Sequence, residues 1–530
     1  MADGGATTGF SDLYGQFLQE FGEVLRETPS RAIETQQNVR EEYVRCLWFG
    51  SHFDPDLLAT DDGRRLEVVS PGGRNVEGGP DFARAELLIE GAGRVVGDVE
   101  VHTHASDWRA HGHQGQPTYD GVVLHVVMWN DAEGRDIPLH SGQSVPQLTL
   151  APFVEEEIGE LMDIVDLEGR SNRDLESPPA GEEHAAVTGR YCGGALARGE
   201  MSIEWLGRFL DCAGDHRVRS KAERVAHLQQ KRSLEQVLYE CVAEALGYKS
   251  NRMPFLQLAN ILPLSLPRET VPADAAEPEK RTALETAFFG VGGFLDEPER
   301  DGADEETRAY AKELSDRWAG LPPALQAARM SREHWTFGGT RPVNYPVRRI
   351  AVLSVLHAQH LARGLFSHLL ANLAAARAEG RRQLDRACRD ALLGVFAGLE
   401  HPYRGRRYTF GGKVLARPTA LMGAERAQAI VVDMVLPLLL AHVRQEGDEE
   451  LLRRLHLVWR CLPRRTPDAV VRRMCQVMFQ NRAQANAVVD SERRQQGLHQ
   501  LHRDFCSVEG GCAQCLLHRV HQAGRKLEKL

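Results

Sequence analysis

The sequence is poor in cysteine and has no long unbroken apolar run, and each scarcity removes a class of protein. Ten Cys in 530 residues are too few for the disulfide framework of a small secreted scaffold. No apolar run approaches the ~18 residues needed to cross a bilayer. The opening Met1-Ala2-Asp3-Gly4-Gly5 has neither the basic nor the apolar segment of a secretory signal. These absences point to a cytoplasmic protein with no membrane partner. Positive charge is not in excess either: 64 Lys and Arg face 74 Asp and Glu, a net charge of -10. That argues against coating nucleic acid by bulk charge, while a local basic groove stays open. No GxxxxGK[ST] is present, so any ATP-driven function falls to a protein partner.

What is present divides the chain in two. Residues 1–12 read as a flexible N-terminus and 13–168 as a mixed α/β domain. Residues 169–190, polar with Pro178-Pro179, read as a linker. Residues 191–500 follow a helical period almost throughout, and 501–530 form a cysteine-bearing tail. Within the first part a helical pattern runs from Gln16 to about Trp48. Short β-like runs follow at 66–69, 83–90 and 94–102, then a short helix that Ser106 caps, then a run at 121–129. The fold class is therefore α/β plus all-α: an αβββαβ domain followed by a large helical region.

The densest chemistry lies at Asn75-Val76-Glu77-Gly78-Gly79-Pro80-Asp81-Phe82 and, nineteen residues after Asp81, at Glu100-Val101-His102. Alternate residues of a strand share a face, so Asp98, Glu100 and His102 point one way. If the neighbouring strands pair, Asp81 and Glu100 converge beside an imidazole. Two carboxylates with water suit a hard cation such as Mg²⁺ or Mn²⁺.

Pro80-Asp81 on one strand, Glu100-x-His102 on the next and the αβββαβ order resemble the PD-(D/E)XK nuclease superfamily. The resemblance implies a restriction-endonuclease-like fold and metal-dependent hydrolysis of phosphodiesters in DNA or RNA, in genome maintenance or phage defence. It also implies Asp81 and Glu100 as metal ligands, and Glu41 of the first helix as a further acidic member. His102 stands where the superfamily usually has a Lys. The whole chain is similar to a bacterial domain-of-unknown-function family, through the boxes above and Ser106-Asp107-Trp108, His111-x-His113, Tyr119 and Leu124-His125-Val126-Val127. Ala245-Leu246-Gly247-Tyr248, Arg341-Pro342-x-Asn344-Tyr345-Pro346 and the terminal cysteines extend the match.

Three further groups need an explanation. His102, His104, His111, His113 and His125 fall within 24 residues. They are candidates for a zinc site, for acid/base or phosphate contacts, or for ordinary structural histidines. Cys506-x5-Cys512-x2-Cys515 has the spacing of a metal hook for Zn²⁺ or an iron–sulfur cluster. The fourth ligand would come from His518 or His521, or from Cys192, Cys461 or Cys475. Arg404, Arg406, Arg407 and Lys413 interleave with Tyr403, Tyr408 and Phe410, which suits phosphate contact and base stacking. The leading expectation is a metal-dependent nuclease. A catalytically inactive nucleic-acid-binding scaffold and a His-based zinc hydrolase are the alternatives.

Overall fold

The computed structural model describes residues 10–22, 41–49, 58–75, 78–132, 137–153, 191–197, 199–229, 232–248, 251–266, 271, 274–295, 303–338, 341–506 and 515–523. A mixed sheet comes first and a large helical region follows. Two helices precede the sheet, α1 (Leu13–Gly22) and α2 (Glu41–Phe49). The strands are β1 (Leu66–Ser70), β2 (Gly73–Arg74), β3 (Phe82–Ile89) and β4 (Gly93–His104). After the short α3 (Asp107–Ala110) come β5 (Val122–Trp129), β6 (Ile137–Pro138), β7 (Ser144–Val145) and β8 (Gln147–Thr149).

The sheet runs β1-β3-β4-β5-β8, with β2 pairing β3, while β6 and β7 form a separate ribbon. β1, β3 and β4 are antiparallel neighbours, whereas β4–β5 and β5–β8 are parallel. A parallel neighbour requires a crossover, and the stretch from Ala105 to Gly121, with α3 and two 3-10 turns, provides it. β3 buries Phe82, Ala85, Leu87 and Ile89. The step from 82 to 85 breaks the period of two because Arg84, at φ 57°, forms a bulge there. Its N–H is satisfied by Asp98 Oδ1 at 3.1 Å.

One face of the sheet packs Val99, Val101, Leu124, Val126 and Leu148 against Val44, Leu47 and Trp48 of α2. The opposite face carries Trp108, Tyr119, Val122, Ile137, Leu139 and Val145. Ser106 does not cap α3 as expected. Its backbone is already helical, and its hydroxyl donates instead to Asp131 Oδ2 at 2.7 Å.

The helical region includes α4 (Ile203–Leu228), α5 (Leu234–Leu246), α6 (Arg252–Ile261), α7 (Glu305–Ala319), α8 (Pro346–His360), α9 (Leu365–Ala375), α10 (Ala424–Glu446), α11 (Glu492–Leu501) and α12 (Leu516–Gln522), with further helices between them such as Glu277–Val291, Arg381–Phe396 and Glu449–Cys461. Ser202 and Ser233 cap α4 and α5 by accepting from Trp205 N and Gln236 N. Three expectations need correction. The helical period expected almost throughout 191–500 is broken at Gly364, which turns the chain at φ 90° between α8 and α9, and the N–H groups of Phe366 and Ser367 bond to Glu235 of α5. Helix α1 does not pack on the sheet: Tyr14 and Phe17 join a second core with residues of α4, α11 and α12. And α10 has the length and apolar composition of a membrane span. It is nevertheless largely buried within the helical core and carries Asp433, which pairs with Lys221 Nζ at 2.9 Å. The expected linker, 169–190, lies outside the described residues.

Candidate functional site

Gly78 and Gly79 both have φ 98°, a conformation open to glycine but strained for side chains with a Cβ. The Gly-Gly-Pro turn so formed delivers Asp81 to the start of β3. There its backbone N–H donates to Glu100 Oε2 at 2.9 Å, and Val101 N–H donates to Asp81 Oδ2 at 3.1 Å. The two acidic residues are thus brought together across the β3–β4 pair. Arg45 of α2, one turn beyond Glu41, bridges them to the helix. Its Nε lies 2.9 Å from Asp81 Oδ1 and its Nη2 pairs with Glu41.

The electrostatics are those of a buried acidic pair. Burial, reinforced by the charge of Asp81, pushes the Glu100 carboxyl up to about 9. Burial also raises Glu41, against the pull of Arg45. Arg45 itself, despite burial, is held more firmly protonated by Asp81 and Glu41. The Tyr119 phenol, whose ring lies 3.9 Å from that of His113, is pushed up to about 12 by burial and then by Glu100 and Asp81.

Beside Glu100 the imidazoles converge. His102, only 1% exposed, is the centre. Its Nε2 lies 3.1 Å from His111 Nδ1 and 3.2 Å from His113 Nε2, and its Nδ1 lies 2.9 Å from His125 Nε2. Glu100 Oε1 is 3.3 Å from His113 Nε2 and 3.5 Å from His102 Nε2. Burial lowers His102 to about 2 and His125 to about 4, so both rings are neutral. His104 takes no part in this group: its ring lies against Trp129 at 5.5 Å and its Nδ1 is 3.9 Å from Asp107 Oδ2. The crossover brings His111 and His113 to His102 instead, with Gly112 turning the chain between them at φ 74°.

Three residues of this site carry no signal in the sequence. Arg45 is visible only as a helical partner of Glu41. Gln147 Oε1 lies 3.0 Å from His125 Nδ1, and Asp61 Oδ2 accepts from Gln147 Nε2 at 2.7 Å. Both come from segments whose sequence suggests nothing beyond a loop and a short strand.

The other expected sites fare differently. Arg404 and Arg407 are buried, which removes them from a nucleic-acid surface. Arg404 lies 3.7 Å above the Phe410 ring, and Arg407 pairs with Glu306 at 2.6 Å and with Asp304. Arg406 and Lys413 are exposed. Cys506 and Cys515 lie in one cluster with Cys192 and Cys475, whereas Cys512 lies outside the described residues. Cys461 is engaged elsewhere, its Sγ 3.3 Å from the Asp385 carbonyl.

No curated protein and no solved structure matches the chain. A family model does match, over residues 41–466, from α2 through the sheet and most of the helical region. Its description is protein of unknown function (DUF2851), and the chain belongs to that family.

Proposed function

We propose that the sheet half is a metal-dependent nuclease of the PD-(D/E)XK kind, hydrolysing phosphodiester bonds in DNA or RNA. The observation that carries this reading is the meeting of Asp81 and Glu100 on antiparallel β3 and β4, with β5 added in parallel across a crossover. That meeting supports the reading, because the resemblance implies two acidic residues on neighbouring strands. The donor set fits a hard divalent ion, because a carboxyl pushed up to about 9 by burial and a second carboxylate gains from a cation beside it. Asp81 and Glu100 would hold Mg²⁺ or Mn²⁺, which when bound polarises a phosphoryl oxygen and acidifies water. Arg45 orients Asp81 and places a positive charge beside it. His102, neutral and buried, lacks the charge of a lysine and instead offers a lone pair beside Glu100. Arg406 and Lys413 are the exposed cations left from the basic segment for phosphate contact.

The test is cleavage of labelled single- and double-stranded DNA and RNA with Mg²⁺ or Mn²⁺. Wild type should cut, and Asp81→Asn and Glu100→Gln should not. Nucleic-acid binding without cleavage by all three proteins would turn the reading to an inactive scaffold. Cleavage that needs Zn²⁺ and survives Asp81→Asn would turn it to a His-based zinc hydrolase.

A further inference from the structure

We propose that His102, His111 and His113, with Glu100 alongside, bind a transition-metal ion of the zinc type. The site shares Glu100 and His102 with the hydrolytic reading but leaves out Asp81, and its test is metal content rather than cleavage.

Spacing gives the first argument. Imidazole ligands at the usual 2.0–2.1 Å from a tetrahedral Zn²⁺ stand about 3.3 Å from one another. His102 Nε2 lies 3.1 and 3.2 Å from its two neighbours' ring nitrogens, and Glu100 Oε1 lies 3.3 and 3.5 Å from two of the same atoms. The donor nitrogens of all three histidines fall within 4.8 Å of one another.

Hydrogen bonding gives the second. Asp61 accepts from Thr149 N and Oγ1, each at 2.9 Å, and from Gln147 Nε2 at 2.7 Å. With the Asp61 oxygens accepting, the Gln147 amide is pinned with Nε2 toward Asp61 and Oε1 toward His125. His125 Nδ1–H therefore donates to Gln147 Oε1, which leaves His125 Nε2 as an acceptor. His102 Nδ1–H donates to it at 2.9 Å. The remaining nitrogen, His102 Nε2, must then present its lone pair to His111 and His113. The chain Asp61–Gln147–His125–His102 is the kind of outer-shell relay that fixes the tautomer of a metal-binding imidazole.

Counting protons gives the third. One sp² lone pair accepts one good hydrogen bond, yet two ring nitrogens and a carboxylate oxygen crowd it. A cation at their centre satisfies all of them at once. Neutral imidazoles favour Zn²⁺, Co²⁺ or Ni²⁺ over Mg²⁺, which prefers oxygen ligands and its own water.

The experiment is metal analysis of the full-length protein, stripped and then reloaded with Zn²⁺ or Co²⁺. The C-terminal cysteines can bind these ions too, so the readout is the difference between variants. His113→Ala and His111→Ala should each carry one equivalent less than wild type. His104→Ala, outside the cluster, should carry the same number as wild type. Gln147→Leu should weaken the site about 10- to 100-fold. His111 is at the surface, so its variant keeps the fold even if that of buried His113 does not, as circular dichroism will show. Equal metal content in wild type and His111→Ala overturns the proposal. No cleavage by wild type, with one equivalent less metal in His111→Ala, would overturn the nuclease reading and leave this one standing.

Discussion

At Gly97 the strand that carries the site meets its parallel neighbour with no room for a methyl group. A Cβ there would lie 2.2 Å from Val123 Cγ1 and 2.8 Å from the Gly121 carbonyl. Gly97→Ala is expected to cost about 1–3 kcal/mol through overpacking, seen as a lower melting temperature. Adding Val123→Ala should recover part of that loss, because it removes the side-chain half of the clash and leaves the carbonyl half. A single variant that melts with wild type would show that β4 and β5 can part without penalty. The residues of the site were unequally legible beforehand. Asp81, Glu100 and His102 stand out through a glycine turn and a period of two. Gln147, Asp61 and Arg45 are ordinary polar residues in the sequence, and only pairing between distant segments gives them partners. His104 misleads for a related reason: it shares a strand face with His102, but the crossover folds back over His102 alone.

Among the elements, the segment between Phe396 and Ala424 is the clearest case of an altered meaning. Its arginines and aromatics read as a nucleic-acid surface, yet Tyr403, Arg404, Arg407 and Phe410 are buried, and α8 anchors its backbone. Arg348 donates to the carbonyls of Thr419 and Ala420 at 3.2 and 2.8 Å, and to the carbonyl of Arg404. Arg349 donates to the Leu421 carbonyl at 2.6 Å. Irregular backbone can be buried when side chains supply the missing donors. Arg348→Met would leave the buried Arg404 carbonyl without this donor, at about 1–3 kcal/mol, and free the backbone at Thr419 and Ala420. We expect a depressed melting temperature and faster amide exchange across 403–421; exchange equal to wild type there would refute the anchoring role. The longer strands β1, β3, β4 and β5 were readable because β-branched and alternating residues mark them, whereas the two- and three-residue strands β2, β6, β7 and β8 were not. The break at Gly364 was not, since the carboxylate that fixes it belongs to Glu235, far away in the chain.

At the scale of the whole molecule, the chain leaves the helical body to form the sheet and then returns to it. Ser11 N donates to Asp215 Oδ2 of α4 at 2.9 Å, and Tyr14 hydroxyl to Asp504 Oδ2 at 2.8 Å. Helix α1 also contacts α12. Deleting residues 1–22 should therefore loosen the C-terminal core before the sheet. Limited proteolysis is expected to cut first within 469–522 and to spare 58–153, and the opposite order would disprove the coupling. The sheet meets the helical body through α2 against α6 and through β2 against the turn Arg332–His334.

The docking of α1 beside α12 also sets how the molecule bears a mechanical load. Tension applied at residues 10 and 522 enters and leaves through the same core. Until α1 peels away, the pull bypasses the sheet, and the imidazoles around His102 stay outside the line of force.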